Sequence, residues 1–126
     1  METIAEIMST QNVATHLVQF CHEGKNLDAI NELYSNDIIS REPNGSHAEL
    51  VEGKENVIAK NQQWYDMVHE IHSSHIGDPI VTGNFFACIM DMDVTYKQHG
   101  RMTMNEIAVY EVKDGKIISD QFFYNM

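Results

Sequence analysis

Apolar residues along this chain change their spacing once, from every third or fourth position to every second, and the change falls near Val68. Before it, Ile4, Ile7, Met8, Val13, Leu17, Val18, Phe20 and Cys21 recur at helical spacing, with polar residues between them. Gly24 is a natural stop for that helix, and Asn26 or Asp28 can cap a second one carrying Leu27, Ile30, Leu33 and Tyr34. A turn at Ser35-Asn36-Asp37 is expected to lead into Ile38–Glu42, which Pro43-Asn44-Gly45-Ser46 breaks. Gly53 precedes a third helix with Val57, Ile58, Trp64, Tyr65 and Val68 on one face.

Past that point the pattern alternates. Turn signals at Thr82-Gly83-Asn84, Gln98-His99-Gly100 and Lys113-Asp114-Gly115-Lys116 divide it into strands over roughly 68–81, 85–97, 101–112 and 116–125. Helices followed by an antiparallel meander make an α+β chain. The turns also predict a register. A two-residue Asp114-Gly115 turn pairs Val112 with Ile117, Tyr110 with Ser119, Ala108 with Gln121 and Glu106 with Phe123. The next turn sets Met92 opposite Glu106, Met90 opposite Ala108 and Cys88 opposite Tyr110, and the Gly83-Asn84 turn brings His75 across from Met92. Phe86, Cys88, Met90, Met92, Val94 and Tyr96 then form one apolar face that should look at the helices. A single β-bulge would shift this register by one residue.

Composition excludes several classes. The chain has 126 residues, the size of one domain, and a formal charge of -11 from 8 Lys plus Arg against 19 Asp plus Glu. Such a charge repels a phosphate backbone and an anionic bilayer surface, so neither nucleic acid nor membrane is an expected partner. Cys21 and Cys88 make neither a disulfide framework nor a zinc spacing, and the opening METIAEIMSTQ has no signal-peptide character. A cytoplasmic protein is expected. His69, His72 and His75 would converge on a metal only from a helix, and no glycine-rich phosphate loop occurs, so no metal or cofactor is expected.

Several segments resemble a known family. Leu27–Asp37, Val51-Glu52-Gly53-Lys54-Glu55-Asn56-Val57, Asp78–Ala87 and Val109–Ile117 are similar, in that order, to segments of the nuclear transport factor two-like superfamily, and most of all to its SnoaL-like branch beside polyketide cyclases and ketosteroid isomerases. The resemblance implies a cone-like half-barrel, in which a strongly curved antiparallel sheet wraps the N-terminal helices and leaves a pocket at its open end. It also implies a homodimer through the outer sheet face. The isomerases' catalytic base falls on Glu42, before Pro43. Their oxyanion tyrosine falls near Leu17 and their protonated aspartate on Ala108, as does the cyclases' acid/base aspartate, and neither residue can donate a hydrogen bond.

Among the residues themselves, Glu106 stands out. It shares a strand face with Ala108, and the predicted register surrounds it with Met92 and Phe123, an environment that raises a carboxyl pKa and suits a general acid or base. His75 is placed to share its proton, with Glu42 as a further candidate. Tyr110 and Gln121 are placed to hold a substrate carbonyl, while Met90, Met92 and Trp64 are candidate pocket walls and equally good core residues. The expected ligand is a small apolar, carbonyl-bearing molecule, with isomerase, cyclase or dehydratase chemistry. The rival is a non-catalytic carrier or a dimeric interaction module.

Overall fold

Ser9 opens the first helix by accepting a hydrogen bond on its hydroxyl from the Asn12 N–H at 3.1 Å. The computed structural model describes residues 9–46 and 48–125, so the expected helical positions Ile4, Ile7 and Met8 lie outside it. Helix α1 (Thr10–His22) closes at Gly24, whose φ of 71° lets the Lys25 N–H return to the Phe20 carbonyl at 2.8 Å. Helix α2 (Asn26–Leu33) runs directly into strand β1 (Tyr34–Arg41), and a short β2 (Leu50–Glu52) precedes α3 (Lys54–Met67). Strands β3 (Val68–Ile76), β4 (Ile80–Thr82), β5 (Phe85–Tyr96), β6 (Gly100–Lys113) and β7 (Lys116–Phe123) complete the described residues.

The sheet order is β2-β1-β7-β6-β5-β3, with β4 also on β5. Each of these pairings is antiparallel except β1 with β7, which is parallel. The sheet is therefore mixed: the expected meander of β3, β5, β6 and β7 is antiparallel, and the parallel pairing lies outside it. Its cause is β1, which follows two helices and so returns to the sheet beside the last strand. The expected turn at Ser35–Asp37 lies inside β1, where the ladder is irregular between Tyr34 and Ile39. Three helices against one face of a strongly curved, unclosed sheet make the α+β cone.

Its core lies between helix and sheet: Val13 and Leu17 of α1, Ile30 of α2 and Val57 of α3 pack with Ile38, Phe86 and Ile117. Phe86 and Tyr110 face each other across the β5–β6 ladder and stack at 4.6 Å between ring centroids.

Two irregularities rewrite the predicted register. The expected strand over 68–81 breaks at Gly77-Asp78-Pro79, where the Gly77 N–H bonds the Ile89 carbonyl at 2.8 Å. One residue is absorbed there, so Ser74 pairs with Met92 and His75 pairs with Asp91. At the Asp114-Gly115 turn both residues take positive φ, and Val112 pairs with Ile117 as expected. Ile118 is then an extra residue, and from there Tyr110 pairs with Asp120 and Ala108 with Phe122. In the β5–β6 hairpin the loop is Lys97–His99, so Met90 pairs with Glu106 and Cys88 with Ala108. That shift of two residues leaves the faces unchanged.

Ile38 is fully buried between the helices and the sheet. Ile38→Ala is expected to lower the unfolding free energy by about 2–5 kcal/mol, measured by urea melts, with the slope unchanged.

Candidate active site

β7 stops at Phe123, while β6 continues beyond its last partner on that side. Residues 100–106 of β6 are therefore paired only with β5. A cleft of about 590 Å³ opens at this step, lined by Glu42, Glu106, Gln121, Phe122, Phe123 and Tyr124 among others.

Four elements deliver its charged groups. Glu42 follows the last residue of β1, its backbone N–H held by the Glu49 carbonyl at 3.0 Å. Its carboxylate accepts from the Tyr124 hydroxyl at 2.7 Å and from the Lys60 ammonium at 3.3 Å. Lys60 projects from α3 on the same helical face as buried Val57, three residues earlier. It also reaches the Ser40 hydroxyl at 3.0 Å and lies 5.4 Å from the centre of the Phe122 ring.

Beneath this layer Asp120 is only 2% exposed. It sits across from Tyr110 on one side and Ser40 on the other, and accepts from the Tyr34 hydroxyl at 2.9 Å. Its Oδ1 has no hydrogen-bond partner. Burial raises its pKa, opposed by Ser40, Lys60 and Tyr34.

Glu106 faces the same space without such support. Burial first, and the neighbouring Glu42 second, push its carboxyl from 4.5 up to about 7, with Lys60 pulling the other way and Asp120 adding to the rise. Near neutral pH this group both gives and accepts a proton, the property a general acid/base requires. Burial also raises the Tyr124 hydroxyl, helped by its hydrogen bond to Glu42, so it stays a donor.

The sequence candidates separate. Glu42 and Glu106 meet at the cleft. Gln121 lines it too, but from the exposed outer side, because the Ile118 bulge gives the inward position opposite Ala108 to Phe122. His75 does not reach Glu106: it faces outward beside Asp91. Tyr110 is 2% exposed, stacked in the core and away from the cleft lining. Met90 packs against the core directly across from Glu106, and Met92 pairs with Met104. Trp64 donates to the Tyr96 hydroxyl at 3.1 Å on another part of the inner face. Leu17 and Ala108 are both buried. Among the described residues no group of His, Cys, Asp or Glu is arranged to hold a metal ion.

Lys60, Asp120, Tyr34 and Tyr124 were not among the sequence candidates. Lys60 carried a signal, since a charged residue at position 60 falls on the apolar stripe set by Val57 and Trp64. Asp120 and Tyr124 carried none until the bulge was known.

A model of the SnoaL-like domain matches residues 8–124. The chain belongs to the SnoaL-like family. A Mesorhizobium loti protein provisionally assigned as a SnoaL-like polyketide cyclase is 33% identical, with a TM-score of 0.85 over 93% of this chain and all of that one. A Xanthomonas campestris protein of unknown function with a cystatin-like fold aligns at 16% identity and a TM-score of 0.79, over 94% of this chain and 92% of that chain. One from Catenulispora acidiphila with a ketosteroid isomerase-like fold, solved with trimethylamine, aligns at 16% and 0.73, over 94% and 88%. No curated protein matches the sequence. No helix of the described residues is long and apolar enough to cross a membrane. Within this SnoaL-like cone, Glu42 and Glu106 are the two carboxylates that share the cleft.

A carboxyl with a raised folded-state pKa keeps its proton after the unfolded chain has lost its own. The contribution of Glu106 to stability is therefore undiminished below about pH 4.5 and declines as pH rises towards 7. Glu106→Gln is expected to remove that decline and to gain about 1–3 kcal/mol over wild type at pH 8, read from urea melts at a series of pH values. Equal pH slopes for the two proteins would exclude the raised pKa.

Proposed function

We propose that this SnoaL-like protein binds a small apolar, carbonyl-bearing molecule at the open end of its cone and moves a proton on it, as in isomerisation, cyclisation or dehydration. The observation that carries this reading is the placement of Glu106, a half-buried carboxyl that burial pushes upward and that opens onto the same cleft as Glu42 and Tyr124. Glu106 takes or returns the proton next to the carbonyl. The cleft's carboxamides, Asn44, Asn105, Gln121 and Asn125, supply donors for the oxygen on which charge develops. Phe122 gives the ligand's apolar part a surface to cover. Free Cys21 and Cys88 suit a reducing compartment, which supports action in the cytoplasm.

The test is deuterium uptake from D2O into a panel of cyclic enones and β-keto compounds, followed by NMR. Exchange above the buffer rate, rising with pH through about 7 and reduced at least ~100-fold by Glu106→Gln, is the expected result. No exchange with any probe would leave the non-catalytic carrier, and an undiminished rate in the variant would overturn the role of Glu106.

The outer sheet face favours a second copy of the chain. Ile89, Ile107 and Phe123 stand side by side across β5, β6 and β7 and are 56%, 48% and 48% exposed, with Phe85 and Ile80 further along. A self-complementary face of this kind suits a two-fold dimer. Light scattering at micromolar concentration is expected to give the dimer mass for wild type and the monomer mass for Ile107→Asp. A monomeric wild type would overturn the dimer.

A further inference from the structure

Lys60 does not line the cleft, yet it touches the groups on both sides of the cleft wall. Its ammonium reaches the Glu42 carboxylate at 3.3 Å and the Ser40 hydroxyl at 3.0 Å, and Ser40 faces buried Asp120 across the β1–β7 ladder. The ring of Phe122 covers it at 5.4 Å. One lysine thus joins the Glu42 carboxylate, past the end of β1, to the Ser40 hydroxyl that faces Asp120.

We propose that Lys60 is the positioning residue of this site, anchoring Glu42 at the cleft mouth and fixing the charge against which Glu106 exchanges its proton. The assignment rests on the acid/base reading of Glu106. The titratable groups whose charge reaches Glu106 are Glu42 past the end of β1, Lys60 from α3, Asp120 from β7, Tyr110 on its own strand and Tyr124 past β7. Lys60 is the cation among them. Glu42 and Asp120 both oppose ionisation of Glu106, and Lys60 favours it. The Glu42 carboxylate is held by Lys60 and Tyr124, which leaves Glu106 as the cleft carboxyl open to a ligand.

Side-chain carboxyl NMR tests this without a substrate. In carbon-13-labelled protein the Glu106 resonance is assigned by its loss in Glu106→Gln, and its titration midpoint is compared across Lys60 variants. Lys60→Met and Lys60→Gln are expected to move that midpoint up by about half a pH unit or more, the direction set by loss of a nearby positive charge. Lys60→Arg, which keeps the charge, is expected to restore it. A role confined to packing would be satisfied by methionine and would leave the midpoint in place. Unchanged midpoints in the two uncharged variants, both folded by circular dichroism, would overturn the proposal. Should neither fold, the Lys60 Nζ nitrogen shift of wild type decides: it is expected to inflect at the Glu106 midpoint, and a flat response would overturn the proposal. A wild-type midpoint in the ordinary carboxylate range would instead overturn the acid/base reading. The difference between variants decides the role of Lys60 in either case.

Discussion

Ile117 and Ile118 together stand opposite Val112, and that one extra residue turns the remainder of β7 over. A strand alternates its side chains strictly, so inserting one residue exchanges the two faces for every position beyond it. Asp120 and Phe122 thereby point inward, Gln121 points outward, and Tyr124 reaches Glu42 from just past the strand. Without the bulge, Ser119, Gln121 and Phe123 would occupy the inner face, leaving Lys60 without the Phe122 ring and Tyr34 without its acceptor. The site is thus built on a departure from regular pairing.

The resulting cluster is a costly thing to bury. Asp120 is almost fully enclosed with one oxygen unpartnered, and Glu106 sits half-buried beside other acids. Leucine in place of Glu106 would make the cone more stable, since a half-buried carboxyl beside other acids costs free energy that packing must offset, whereas Asp120 is the acceptor of the buried Tyr34 hydroxyl. The fold tolerates Glu106 because its main core, around Phe86, Tyr110 and Ile38, is closed by the helices elsewhere, and Asp120 because it is tied into that core by Tyr34. Placing destabilising groups at the rim of a well-packed core is the arrangement expected where chemistry competes with stability.

The change of apolar period, the glycine stop after α1 and the Asp114-Gly115 turn each state in sequence what the backbone does, so the three helices and the last hairpin were legible. Glu106 was legible for the same reason: β5 and β6 pair without irregularity, and a shift of two residues leaves faces intact. His75 and Gln121 were misplaced because Gly77–Pro79 and Ile118 each absorb one residue, and an odd shift reverses a face. The parallel pairing of β1 with β7 was invisible to local pattern, since it depends on where two preceding helices carry the chain. Lys60 and Asp120 became neighbours only through that pairing, which sets Ser40 beside Asp120.

β7 ends at Phe123 while β6 runs on, so the length of one strand sets the width of an aperture. Each pair of residues added to β7 would zip another step of the β6 edge and advance the sheet across the opening in front of Glu106. Each pair removed would widen it and uncover Asp120. Where a single strand stops thus sets how much of the cleft stands open, with Glu106 left where it is.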